Sequence, residues 1–134
     1  MLKKEYEILA PFIAKPWESF IFREVKKAAG KHSDSYVFKT LKTFVKNGVL
    51  VQEKKGNIIS YIINLKLANS RSVVGFTAEY IGWSKKNVPH HDINKIIEKI
   101  SDHFFSFIIT GSYAKGTQTK NSDIDIVIIC DNNT

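Results

Sequence analysis

Two apolar, β-forming runs, residues 104–110 (FFSFIIT) and 122–129 (SDIDIVII), enclose a polar segment with two glycines, GSYAKGTQTKN. Aromatic and β-branched side chains fit a pleated surface, and runs this short read as buried strands rather than helices. Strands this apolar need cover. An exposed edge ending in Ile128 and Ile129 would be an aggregation hazard unless something lay over it. Residues 88–134 are therefore expected to form a second unit that holds both strands, entered by a helix over 89–101 with Ile93, Ile96, Ile97 and Ile100 inward.

The polar segment and the start of the second run carry residues suited to chemistry. Strand side chains alternate, so Asp123 and Asp125 project from one face and Ile124 and Ile126 from the other. Paired carboxylates at the mouth of a buried strand suit a hard divalent cation such as Mg²⁺. Gly111 lets the backbone approach a ligand closely. Ser112 adds a hydroxyl and an N–H where a short helix starts, which favours a phosphate oxygen. Gly116 allows a tight return, and Lys115 and Lys120 lie in the intervening loop. Phosphate donors facing a metal-binding carboxylate pair suit metal-assisted phosphoryl or nucleotidyl transfer. The plainer reading is a Gly-Ser turn with two exposed aspartates on an edge strand.

The complete string GSYAKGTQTKNSDIDIVII resembles the signature of the DNA polymerase beta-like nucleotidyltransferases. It is most similar to the minimal nucleotidyltransferases of prokaryotes, which include antitoxins of toxin–antitoxin pairs. The resemblance covers about residues 90–131. It implies that Gly111, Ser112 and Gly116 hold the phosphates of a nucleoside triphosphate, with ATP the first choice. It implies that Asp123 and Asp125 are catalytic and bind Mg²⁺, and that a nucleoside monophosphate passes to a hydroxyl. The family pattern also has a third carboxylate on a later strand. Asp131 is the only acidic residue after Asp125, six residues on. On an extended strand that is about 20 Å away, too far without a reversal. A fragment of a longer protein is the first expectation, and a partner-completed or inactive core are the others.

The charge lies elsewhere. Residues 1–67 hold thirteen Lys and Arg against six Asp and Glu, whereas residues 68–134 hold seven of each. So uneven a distribution points to two functional units, the first facing a polyanion. Its apolar spacing predicts helices over 2–10 and 17–29, the first broken by Pro11 and Pro16. A third runs from a cap at Ser33 or Asp34 to Asn47, with Val37, Phe38, Leu41, Phe44 and Val45 inward. The period then changes to a strand at 49–51, a turn over 54–57 and a strand over 58–65.

Three helices and a hairpin with a basic tip resemble the winged helix-turn-helix of MarR- and ArsR-type regulators, over residues 1–67. The fold class these resemblances imply is α+β: a winged helix, then the start of a nucleotidyltransferase fold, a mixed sheet with helices. Ser35, Tyr36, Lys39, Thr40, Thr43 and Lys46 fall away from the apolar stripe of the third helix, and Lys54 and Lys55 sit at the hairpin tip. Hydroxyls and amines so placed suit base edges and phosphates of double-stranded DNA. The plainer reading is a solvated, lysine-rich surface.

Residues 68–87 read as a connecting helix with a stripe of Leu67, Val74, Ala78 and Ile81. Val73, Phe76 and Tyr80 could pair it with a second copy, and packing on its own chain is an equal reading. A homodimer and a toxin-like protein are the further candidate partners. His90, His91 and Asp92 follow Pro89 and read as a helix start, because adjacent helical side chains diverge and rarely chelate one ion. With one cysteine, Cys130, neither an internal disulfide nor a multi-cysteine zinc site can form. There is no apolar run long enough to span a membrane and no secretory leader, so the expected compartment is the cytoplasm. The competing function is a DNA-binding regulator that keeps only a vestigial nucleotide fold.

Overall fold

The computed structural model describes residues 4–30, 32–100 and 104–130. The chain divides into two compact units, residues 1–81 and 82–134. Both combine helices with small antiparallel sheets, an α+β arrangement.

In the first unit a 3-10 turn, Lys4–Leu9, runs directly into α1, Ala10–Ala14. Pro11 was expected to break this helix and instead sits in its first turn. There its missing N–H is no loss, because the first helical N–H groups have no intrahelical partner. The helix expected over 17–29 is shorter. Trp17 is 77% exposed, Phe20–Ile21 form a strand, β1, and α2 spans Phe22–Ala28. Glu24 helps set this boundary: its carboxylate accepts from the Ile21 N–H at 2.9 Å, one turn back.

Helix α3, Asp34–Lys46, starts where the sequence predicts, with Ser33 Oγ accepting from the Tyr36 N–H at 3.3 Å. Its buried stripe is Val37, Thr40, Leu41 and Phe44, at the i, i+3, i+4, i+7 spacing of one helix face. Two expectations fail here for the same reason. Thr40 lies on that stripe and is 7% exposed, so it does not face outward with the lysines. Phe38 follows Val37 by one residue, about 100° around the helix, and is 46% exposed rather than inward.

Strands β2, Leu50–Lys55, and β3, Ile58–Ile63, pair antiparallel from Leu50↔Ile63 to Lys55↔Ile58. The turn is therefore tighter than 54–57, with only Gly56 and Asn57 between the strands. Gly56 takes φ +59 and Asn57 does not take a positive φ, so glycine alone supplies the left-handed step. β1 adds to the other edge of β3 through Phe20↔Tyr61 and Ile21↔Ser60, giving the order β1-β3-β2. Leu50, Tyr61 and Ile63 close the core under α1, α2 and α3 with Phe12, Val25 and Leu41. Helices followed by a hairpin that captures an earlier short strand are the winged-helix arrangement.

Helix α4, Ala68–Trp83, ends before the expected residue 87. Its buried positions are Ser70 and Thr77, not the predicted aliphatic stripe, and Leu67 before it is exposed. Their hydroxyls are satisfied. Ser70 donates to the Val49 carbonyl at 3.1 Å and Thr77 to the Val73 carbonyl at 2.7 Å.

In the second unit α5, His90–Lys99, begins immediately after Pro89 and buries Ile93 completely. β4, Phe104–Ile109, pairs antiparallel with β5, Ile126–Cys130, around α6, Gly111–Lys115. The second strand was expected from Ser122, but its ladder starts at Ile126, so both aspartates precede it. Among the described residues this sheet has two strands, and Ile108, Val127, Ile128 and Ile129 are exposed on it.

The two faces of α3 give a stability prediction. Leu41→Ala removes a fully buried side chain and should cost the first unit roughly 2–5 kcal/mol. Phe38→Ala should cost about 1 kcal/mol, the scale of one aromatic pair. Urea unfolding followed by circular dichroism measures both, and equal losses would contradict this placement of Phe38.

Candidate functional site

The second unit brings Gly111 and Asp125 into contact. The Thr110 N–H donates to the Asp125 carbonyl at 2.8 Å, which carries the β4–β5 ladder one step past Ile126. That bond holds Asp125 beside Gly111, whose φ is +65. A Cβ built on Gly111 would overlap Asp125 Oδ2 and lie 2.8 Å from its Cγ. Only glycine leaves room for the carboxylate, and only glycine adopts this φ without strain. Asp123 shares the exposed side of the segment with Asp125, while Ile124 and Ile126 are half-buried. The expected alternation thus persists without regular strand pairing.

Ser112 is half-buried in α6 beside Gly111. Gly116 caps α6 in the left-handed region, and the Thr117 N–H donates to the Ser112 carbonyl at 3.0 Å. Thr119 and Ser122 then close the loop, with the Thr119 N–H donating to Ser122 Oγ at 2.8 Å. Lys115 and Lys120 are exposed.

Two residues that the sequence reading passed over hold this loop from outside. Asn87 Nδ2 donates to the Tyr113 carbonyl at 3.1 Å and to Gln118 Oε1 at 3.2 Å. Lys85 Nζ donates to the Ala114 carbonyl at 3.2 Å. Those carbonyls lie in the last turn of α6, where the Gly116 N–H also donates to the Tyr113 carbonyl at 3.3 Å. Lys85 and Asn87 fell within the connecting helix expected over 68–87, and only the fold shows what they bind.

His90 stacks on Trp83 with ring centroids 5.1 Å apart, and its Nε2 lies 3.2 Å from the Lys85 carbonyl. His91 and Asp92 are exposed. The His90–His91–Asp92 run is thus a helix start. Among the described residues no group of three or more His, Cys, Asp or Glu could hold a metal ion. Asp131, weighed as a third carboxylate, lies outside the described residues.

In the first unit, Ser35, Lys39, Thr43 and Lys46 are exposed on α3, and Lys54 and Lys55 are exposed at the hairpin end. The Thr43 hydroxyl donates to the Lys39 carbonyl at 3.0 Å, so only its acceptor side is free. Tyr36 is half-buried against the core and stacks on His32 at 5.0 Å, a supporting position rather than an outward one. Lys42, which the sequence reading did not select, joins the exposed face, with its Nζ 4.7 Å from the centroid of the Phe38 ring. The ion pairs among the described residues are Lys15–Glu18, Lys26–Asp34 and His32–Glu7, and they leave these α3 and hairpin lysines uncompensated.

Residues 93–134 match the family model described as a nucleotidyltransferase domain, about a third of the chain. This agrees with the resemblance carried by Gly111, Ser112, Asp123 and Asp125. No curated protein matches the chain. Among solved structures it is similar to the adhesin competence repressor AdcR from Streptococcus pyogenes, at 14% identity and a TM-score of 0.49, covering 75% of this chain and 69% of that one. It is also similar to a possible transcriptional regulator from Methanosarcina mazei Go1, at 14% identity and a TM-score of 0.43, covering 76% and 81%.

The loop geometry predicts separable effects. Asn87→Asp keeps the side-chain shape and removes both donated bonds, so amide hydrogen exchange over 111–118 should quicken while α3 stays protected. Gly111→Ala should displace the Asp125 side chain, read as a shift of its carboxylate carbon resonance. An unmoved resonance would contradict the contact described.

Proposed function

We propose that the second unit binds a nucleoside triphosphate, with ATP the first choice, and that the first unit contacts double-stranded DNA. The observation that carries the first half is the Gly111–Asp125 apposition inside a nucleotidyltransferase domain. The donor set fits a divalent cation: two exposed carboxylates on one side of an extended segment, all oxygen donors. Asp123 and Asp125 would hold Mg²⁺, which when bound neutralises phosphate charge and lowers the pKa of a coordinated hydroxyl. Gly111 brings the backbone close to the phosphates, and the Ser112 hydroxyl donates to a phosphate oxygen. Gly116 and the Thr119–Ser122 closure return the chain to the aspartates. The reaction class is transfer of a nucleoside monophosphate to an acceptor hydroxyl, with pyrophosphate leaving.

The second half rests on charge. The surplus of basic residues lies in residues 1–67, and the exposed side of α3 and the hairpin end supply lysines with no acidic partner. No described helix is long and apolar enough to cross a membrane.

Calorimetric titration with ATP, with and without Mg²⁺, tests the nucleotide site. Wild type should bind more tightly with Mg²⁺, and Asp125→Asn should lose tenfold or more, as roughly 1.5–3 kcal/mol is typical for a contact to a charged group. Undiminished binding in both Asp123→Asn and Asp125→Asn would remove these carboxylates from the site. For DNA, affinity should fall steeply with salt. Replacing Lys54 and Lys55 by Ala should reduce the log–log slope by about 1.8, since each phosphate contact contributes about 0.9. An unchanged slope would take the hairpin off the DNA.

A further inference from the structure

Helix α3 carries an anomaly on its basic face. Phe38, 46% exposed, lies among Ser35, Lys39 and Lys42. A single exposed apolar side chain is common and means little alone. This one is held in place. Phe22 meets its ring edge-on, with centroids 6.3 Å apart and planes at 69°. Lys42 Nζ sits over the ring at 4.7 Å from its centroid. The ring is thus positioned from two sides while much of it stays open to solvent.

The neighbouring lysines select a polyanion, and the ring selects an apolar group presented within it. In duplex DNA the major groove admits an α-helix, and the one apolar group on its base edges is the C5 methyl of thymine. We infer that Phe38 reads a thymine methyl, with Lys42 setting the ring's position and adding charge beside it. This inference rests on the reading of the first unit as DNA-binding. Lysine and serine contacts to phosphate fix register and say little about sequence, whereas an apolar contact to the methyl discriminates between bases. Phe38 is therefore a residue on this face through which binding depends on base identity at one position.

The test removes the methyl and nothing else. A duplex recovered by the wild-type protein from a random library is synthesised twice, once with thymine and once with deoxyuridine at every thymine. Binding is measured by fluorescence anisotropy at one salt concentration. Wild type should bind the deoxyuridine copy about fourfold more weakly per contacted methyl, the scale of one buried methyl or methylene group. Phe38→Ala should bind both copies alike, at about the wild-type affinity for the deoxyuridine copy. Phe38→Leu, which keeps an apolar side chain, should retain part of the preference. Equal wild-type affinity for the two copies would overturn the inference, as would a preference that survives in Phe38→Ala. Failure to recover any duplex would instead overturn the DNA-binding reading beneath it, so the two failures are distinguishable.

Discussion

One backbone hydrogen bond, from the Thr110 N–H to the Asp125 carbonyl, organises the second unit's polar loop. It ties the end of β4 to the segment before β5, and so brings two residues fourteen apart in sequence into contact. Gly111 then has no side chain where Asp125 places its carboxylate. The constraint is mutual. A side chain at 111 would expel the carboxylate, and a slipped register would turn Asp125 to the other face. The loop between them is held by Gly116, by the Thr119–Ser122 pair and, from outside the matched family region, by Lys85 and Asn87. Under the proposed reading this support matters, because a binding site left loose by about 1 Å loses much of its effect.

The first unit solves a different problem. α3 presents one face to a core of Phe12, Val25, Leu50 and Tyr61 and keeps lysines on the other. The β1–β3 pairing, only two residues long, fastens the segment before α2 to the hairpin. The core fixes α3 and, through α3, the spacing of its exposed side chains. Burial of the stripe fixes where the Cα atoms of the outward row sit. That makes a basic helix a positioned surface rather than a diffuse charge.

Much of this was legible in the sequence, for identifiable reasons. The third helix was readable because a capping serine and a regular stripe agree, and the hairpin because the period changes at Gly48. The Gly-Ser and Asp-x-Asp elements stood out because the string that holds them resembles a nucleotidyltransferase signature, and residues 93–134 match the model of that domain. What failed lay where tertiary context outweighs local pattern. Thr40 counted as polar and was sent outward, yet its position on the helix is a core position. Phe38 counted as apolar and was sent inward, one residue off the stripe. β1 was hidden because a two-residue strand has no periodicity of its own and exists only through β3. In α4 buried hydroxyls replaced the expected aliphatic stripe, since each could bond a backbone carbonyl. Asn87 and Lys85 carried no local signal, because their partners lie some thirty residues away.

The central claim is that Gly111, Ser112, Asp123 and Asp125 form one site for a nucleotide and its metal ion. The most direct measurement is paramagnetic broadening of the amide resonances of the full chain by Mn²⁺, a stand-in for Mg²⁺, with ATP present. The account predicts broadening concentrated at these four residues and their neighbours, reversed by excess Mg²⁺. Broadening centred elsewhere, for example around Asp92 and Glu98, or none at saturating ATP, would contradict it.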